Sequence, residues 1–140
     1  MRVVVDTSVV VAGLRSRSGA SRLWLQSVLQ GEHTLLLSVP LILEYEAVLL
    51  RQDNLAAFNL TSGEIGHLLD TLCGVAEPVE LTNLWRPFLR DPDDEMVLAT
   101  AILGRADMLL TFNVRDFAAA AALGVDVLQP GPAWSRAKEN

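Results

Sequence analysis

Three short runs of this chain, residues 2–5, 34–37 and 108–111, are apolar almost without interruption and show no alternation of polar and apolar positions. A strand with one wet face alternates, whereas a strand covered on both faces does not, and strands of the second kind belong to parallel sheets packed between helices. Two further runs, 77–81 and 125–128, read as additional short strands. Between them lie segments with helical signals. Residues 9–14 follow the turn Asp6-Thr7-Ser8, and residues 20–30 carry Leu23, Trp24, Val28 and Leu29 near helical spacing and stop at Gly31. Residues 41–51 are entered through Ser38-Val39-Pro40, and the capping-box pattern Thr61-Ser62-Gly63-Glu64 opens a helix to about Cys73. Residues 91–104 and 117–123 complete the set. The pattern predicts an α/β fold of three layers, a central parallel sheet flanked by helices on both faces. With 140 residues there is room for one domain, placed at 1–130, and residues 131–140 read as an unstructured C-terminal tail because prolines and a glycine crowd its start.

Composition removes several classes of function. Hydrophobic residues make up 51% and charged residues 20%, too apolar for a disordered chain. The longest stretch free of Asp, Glu, Lys and Arg is the 11 residues 33–43, well short of the roughly 20 that cross a bilayer. No membrane role is expected. Residues 1–14 resemble a signal peptide only superficially, because Asp6 breaks the apolar stretch, and a cytoplasmic location is expected. Cys73 is the lone cysteine, which excludes an internal disulfide and a cysteine metal cage. The net charge of -6 opposes non-specific coating of a polyanion, yet Arg15 and Arg17 make the 15–19 loop locally basic and a candidate contact for phosphate.

The acidic residues fall where ligands of such sheets bind, at the carboxyl ends of strands near a reversal of strand order. Asp6 ends the first strand, where a carboxylate is costly without a cation or amide donors; it also stands where it can cap the next helix. Asp91-Pro92-Asp93-Asp94-Glu95 places four acids at the start of one helix, more than capping requires. Asp116 follows the strand at 108–111, with Thr111 and Asn113 adding neutral polar groups. Glu44 and Glu46 sit in a helix that is apolar nearly all round, so at least one is partly buried, and periodicity does not choose between them. Carboxylates without cysteine or an obvious histidine ligand suit hard cations such as Mg²⁺ or Mn²⁺, which bind phosphates.

The order of these motifs resembles that of PIN-domain ribonucleases, in particular VapC-like toxins of toxin-antitoxin pairs. The likeness runs from Val3 to about Leu128 through Val4-Val5-Asp6-Thr7-Ser8, Ser38 leading to Glu44, Asp91-Pro92-Asp93-Asp94 entering Val97-Leu98-Ala99-Thr100-Ala101, and Leu110-Thr111-Phe112-Asn113-Val114-Arg115-Asp116-Phe117. It implies a PIN domain at 1–130 and a Mg²⁺- or Mn²⁺-dependent endoribonuclease whose acids are Asp6, Glu44, Asp94 and Asp116. Asp94 is chosen over Asp93 by its spacing from Ala99-Thr100-Ala101; Asp91 is a further metal-ligand candidate, and Thr7 and Asn113 are supporting polar residues. The resemblance also implies an RNA substrate, a cognate antitoxin protein and a homodimer.

The chemistry of such a site is metal-assisted phosphodiester hydrolysis, with Asp6, Asp94 and Asp116 on the ion, Glu44 on a second ion or on the water, and Arg15 or Arg17 on the substrate backbone. The alternative is a catalytically inactive PIN-fold scaffold that binds RNA or protein. Haloacid dehalogenase chemistry needs a second acid two residues after the first, where Ser8 stands, and neither a glycine-rich dinucleotide turn nor a P-loop is present. Trp24, Trp85 and Phe88 read as core rather than as an exposed contact, and His33 and His67 as surface or helix-facing residues without ligand spacing.

Overall fold

The expected sheet forms, and every strand pairing in it is parallel. The structure, a computed structural model, describes residues 1–82 and 87–139. In chain order these form β1 (Arg2–Val5), α1 (Thr7–Arg15), α2 (Ala20–Leu29), β2 (Thr34–Leu37), α3 (Val39–Leu49), α4 (Gln52–Phe58) and α5 (Ser62–Val75). There follow β3 (Glu77–Pro78), α6 (Pro92–Leu103), β4 (Met108–Leu110), a 3-10 helix (Val114–Leu123), β5 (Asp126–Leu128) and α7 (Pro130–Glu139). The strand order is β3-β2-β1-β4-β5. The chain builds outward from β1 to β3, then crosses back to lay β4 against the other side of β1, with Val3, Val4 and Val5 in register with Met108, Leu109 and Leu110. Strand order therefore reverses between β1 and β4.

Right-handed crossovers put the helices between β1 and β3 on one face and α6 and the 3-10 helix, which lead back to β4 and on to β5, on the other, while α7 after the last strand returns to the first face. The packing agrees: α2 contacts α1, α5 and α7, while α6 lies on β1, β2 and β4 and touches the 3-10 helix. This is the three-layer arrangement. Both faces bury their strands, so Val3, Val4, Leu36, Met108, Leu109 and Leu110 are wholly inaccessible, as the absence of alternation required.

Several local expectations are corrected. The tail from residue 131, expected to be unstructured, forms α7 with Pro130, and the core holds it closely: the Trp24 indole N–H donates to the Pro130 carbonyl at 3.0 Å and Trp134 meets the Trp24 ring edge-on. Helix α4 lies where no helix was expected, the strand at 77–81 shortens to two residues, and the segment after β4 is a 3-10 helix beginning at Val114. Trp24 is core as expected and His33 packs against it, whereas Phe88 is exposed. Trp85 lies outside the described residues. Among the described residues no helix is long and apolar enough to cross a membrane.

Candidate active site

The reversal point between β1 and β4 is also where the acids gather. The backbone N–H of Asp6 donates to the Leu110 carbonyl at 2.9 Å, continuing the β1–β4 ladder by one residue and bringing Asp6 beside Thr111. Asp6 occupies the N-cap position of α1, but its carboxylate makes no capping bond. Instead Oδ2 accepts from the Thr111 hydroxyl at 2.7 Å and from the Ser8 hydroxyl at 3.0 Å. The side chain is only 7% exposed. Capping therefore does not explain why an acid stands at this buried position.

Glu44 arrives on α3. The hydroxyl of the fully buried Tyr45 donates to the Val5 carbonyl, which pins α3 to the end of β1. That placement turns the preceding residue, Glu44, toward Thr7, whose hydroxyl donates to Glu44 Oε2 at 2.5 Å. Glu44 is half-buried and Glu46 exposed, which settles the choice that periodicity left open. Burial pushes the Glu44 carboxyl above its ordinary value; the Thr7 bond opposes this, and Asp6, Asp93 and Asp91 add to the upward shift.

The four acids at the start of α6 divide their work. Asp91 is the N-cap, and its Oδ1 accepts from the backbone N–H of Asp93 at 2.8 Å and of Asp94 at 3.5 Å. Glu95 reaches back to the backbone N–H groups of Phe88 and Leu89. Asp93 is exposed and lines a hollow with Glu44. Asp94 is half-buried, and its carboxylate has no hydrogen bond or ion pair among the described residues. Its pKa rises from 3.8 to about 6, first through burial and then through the charges of Asp91, Asp6, Asp116 and Glu44. A buried hydroxyl pair fixes α6 against the start of α3: Thr100 donates to the Met96 carbonyl at 2.9 Å, so Ser38, 2.7 Å from the Thr100 hydroxyl, must donate to it.

Asp116 is exposed on the first turn of the 3-10 helix, which the buried Phe117 anchors. With Asp91 and Asp94 it lines an open cleft of about 430 Å³, whose other walls include Phe88, Arg90 and Arg115. Asp6, Glu44 and Asp116 thus come from three other parts of the chain into electrostatic range of Asp94. Thr7 stands between two of them. Asn113 does not line the cleft; its backbone N–H donates to the Thr111 hydroxyl at 3.0 Å. Arg15 and Arg17 lie at the far end of α1, roughly 13 Å along the helix axis from Asp6. Arg15 donates to Asn54 on α4 at 3.3 Å and not to any of the four acids. The cations of the cleft are Arg90 and Arg115, which sequence reasoning passed over; each stands next to an acid of the site, and that adjacency was the available signal.

No described Lys or Arg forms an ion pair with any of the four acids, the ion pairs among the described residues being Arg2–Glu77 and Arg136–Asp126. Every side-chain donor to Asp6 and Glu44 is a neutral hydroxyl. Among the described residues no group of three or more His, Cys, Asp or Glu side chains stands close enough together to hold a metal ion. Like charges without a counter-ion repel, and the donor chemistry, oxygen only with negative charge left uncompensated, fits a hard divalent cation.

A family model described as PIN domain matches residues 2–115. No curated protein matches the sequence. Among solved structures, VapBC2 from Rickettsia felis bound to a DNA fragment from its promoter is similar, with a TM-score of 0.61 and 13% identity over 91% of this chain and 97% of the other. VapBC-1 from nontypeable Haemophilus influenzae gives 0.58 and 13%, covering 94% and 99%, and FitAcB from Neisseria gonorrhoeae gives 0.55 and 20%, covering 91% and 97%. At these identities the likeness is one of fold.

Proposed function

Because the chain belongs to the PIN-domain family, we propose that it is a metal-dependent endoribonuclease, the toxin of a toxin-antitoxin pair, that hydrolyses RNA phosphodiester bonds. The observation that carries this reading is the convergence of Asp6, Glu44, Asp94 and Asp116 at the reversal of strand order, with no described cationic side chain paired to them. A PIN-fold scaffold without catalysis would use its acids as caps and turns. Of the acids in the cleft, Asp91 alone is used that way.

Asp6, Asp94 and Asp116, whose carboxylates stand too far apart here to share an ion, would have to draw together on Mg²⁺ or Mn²⁺, with Glu44 on a second ion or on the attacking water. A bound ion of this kind supplies hydroxide near neutral pH by acidifying its water and offsets the charge that develops on the phosphate. Thr111 and Ser8 orient Asp6 through Oδ2, so that Oδ1 would be the oxygen left to hold an ion. Thr7 holds one oxygen of Glu44 and leaves the other for water. Asp91 sets the first turn of α6, which carries Asp94 toward Asp6 and Asp116. The fold shared with VapBC and FitAcB structures supports a cognate antitoxin as partner, and a homodimer belongs to the same proposal.

The test is cleavage of a mixed RNA pool by protein freed of any copurified partner, with Mg²⁺ or Mn²⁺, with chelator, and with Asp94→Asn. Cleavage that needs the ion and vanishes in the variant upholds the proposal. Equal inactivity of both proteins, with no divalent-ion binding by calorimetry, replaces it with the scaffold.

A further inference from the structure

From Thr7 to Gly31 the chain carries no Asp or Glu and three arginines, Arg15, Arg17 and Arg22, although acids outnumber bases 17 to 11 over the whole sequence. Helices α1 and α2 fall within this segment and pack on each other. Gly13 permits their close approach: a Cβ there would lie 2.5 Å from the Leu25 side chain and 3.0 Å from the Ser21 carbonyl. The turn between the helices is held from within. Ser16 Oγ accepts the backbone N–H of Gly19 at 3.0 Å and of Ser18 at 3.4 Å, and Arg22 Nε donates to the Ser16 carbonyl at 2.9 Å. Three guanidinium groups thus belong to one turn of defined shape.

None of the three forms an ion pair among the described residues, whereas Arg2 and Arg136 sit on Glu77 and Asp126. Arg15 donates to the Asn54 side-chain oxygen at 3.3 Å, Arg22 to a carbonyl, and Arg17 is exposed. Their positive charge is therefore left uncancelled. The start of α2 adds to it, with no acid in the first turn and no side-chain bond from its N-cap, Gly19. Ser21 in that turn is only 5% exposed, yet its hydroxyl has no hydrogen-bond partner among the described residues. On a protein of net charge -6, a turn that gathers unpaired cations and a free donor suits a ligand made of closely spaced anions that accept hydrogen bonds. The phosphates of a nucleic-acid strand are such a ligand, and contacts to them carry no sequence information.

We propose that Arg15, Arg17 and Arg22 form a platform, outside the acidic cleft, for the phosphate backbone of a nucleic-acid strand. The platform deepens the nuclease reading and rests on it for the identity of the strand as RNA. Arg15 stands roughly 13 Å from Asp6 along α1, about four nucleotides at the 3.4 Å spacing of a stacked strand, so the phosphates held here are remote from the bond that is cut.

The experiment is fluorescence anisotropy of a labelled ten-nucleotide oligouridylate over a series of salt concentrations, in chelator so that no cleavage occurs. Arg15→Gln with Arg17→Gln and Arg22→Gln lowers the slope of log K against log salt by about 2, three phosphate contacts on a single strand. Between about 50 and 200 mM salt the wild type then loses about twentyfold more affinity than the variant. Arg105→Gln with Arg136→Gln and Lys138→Gln makes the same change of net charge at exposed positions on other elements and keeps the wild-type slope. Oligothymidylate shows the same drop, because the platform touches phosphate and not sugar. Tripolyphosphate, a small phosphate ligand, displaces the strand only in large molar excess. No binding by the wild type, an unchanged slope in the loop variant, an equal drop in the control variant, a drop confined to oligouridylate, or tripolyphosphate binding as tight as the strand overturns the platform. A chain that shows the expected slopes but never cleaves RNA with Mg²⁺ or Mn²⁺ upholds the platform and overturns the nuclease; one that cleaves while the loop variant keeps the wild-type slope does the reverse.

Discussion

Replacing Asp94 with asparagine should stabilise the metal-free protein at neutral pH while abolishing cleavage. The Asp94 carboxyl is raised from 3.8 to about 6, chiefly by burial and then by the charges of Asp91, Asp6, Asp116 and Glu44. Undiminished, that displacement is worth about 3 kcal/mol against the ionised folded state. The side chain is half-exposed, and water screens it, which reduces the penalty to about 1.5 kcal/mol. Asparagine forfeits the attraction of a charge at the start of a helix, about 0.5 kcal/mol, and loses no side-chain hydrogen bond because the Asp94 carboxylate makes none among the described residues. The net gain is about 1 kcal/mol, or roughly 3–4 °C in Tm for a domain of this size. Between pH 3.8 and about 6 the folded protein binds more protons than the unfolded chain, so stability falls as pH rises and the penalty grows: absent below the unfolded value, complete above about 6. Urea titrations in chelator should therefore separate variant from wild type at pH 7.5 and converge near pH 4. Saturating Mg²⁺, at about 100 times its Kd, should add roughly 2.7 kcal/mol to the wild type and reverse the ranking. A variant no more stable than wild type at pH 7.5 refutes the repulsion, and an equal gain at both pH values refutes its electrostatic origin.

Tyr45→Phe should cost about 1 kcal/mol in urea unfolding by removing the hydroxyl donated to the Val5 carbonyl; an unchanged midpoint would mean that this bond does not pin α3. Deleting residues 130–140 removes the Trp134 ring from Trp24 and leaves the Trp24 indole N–H unpaired, a loss of about 2–4 kcal/mol, whereas a dispensable tail would leave Tm unmoved. Asp91→Ala should lose about 1 kcal/mol with its N-cap and Asp91→Asn should recover most of it; equal stability of the two would show that capping is not the role of Asp91.

The sheet was legible because burial on both faces leaves an unmistakable mark: Val3-Val4-Val5 and Met108-Leu109-Leu110 have no position to give to water. Helix α4 left no such mark. It is seven residues long, with only Leu55 and Phe58 on its apolar side beside the polar Asn54, which donates to the Val48 carbonyl and accepts from Arg15, so the run is too short to show a period. In α7 the prolines misled. Pro130 and Pro132 occupy the first turn, where the missing N–H groups have no helical partner in any case, and Trp134 supplies the contact that holds the helix down. At the site, sequence pattern located the acids but not their division of labour. Whether Glu44 or Glu46 turns inward follows from where Tyr45 finds its acceptor, and which of the α6 acids is a cap follows from Asp91 reaching the amides of Asp93 and Asp94. Both are facts of three-dimensional packing, and the remoteness of Arg15 from the acids is a third.

The neutral donors around the carboxylates tie the stability argument to the functional one. Had Lys or Arg held Asp6 and Glu44 in place, their negative charge would have been cancelled where it is built up, and a divalent ion would have had to displace the cation to enter. Hydroxyl groups from Ser8, Thr7 and Thr111 fix the same carboxylates in direction without adding charge. Burial and the repulsion that remains raise Asp94 and cost folding free energy; on the proposed reading, the binding of a divalent ion would return what the cluster gives up. A cluster merely tolerated by the fold would be under no such constraint, and pairing it with the adjacent Arg90 and Arg115 would be the cheaper arrangement. Both arginines line the same cleft and, among the described residues, pair with none of its acids, so the negative charge there stays uncompensated.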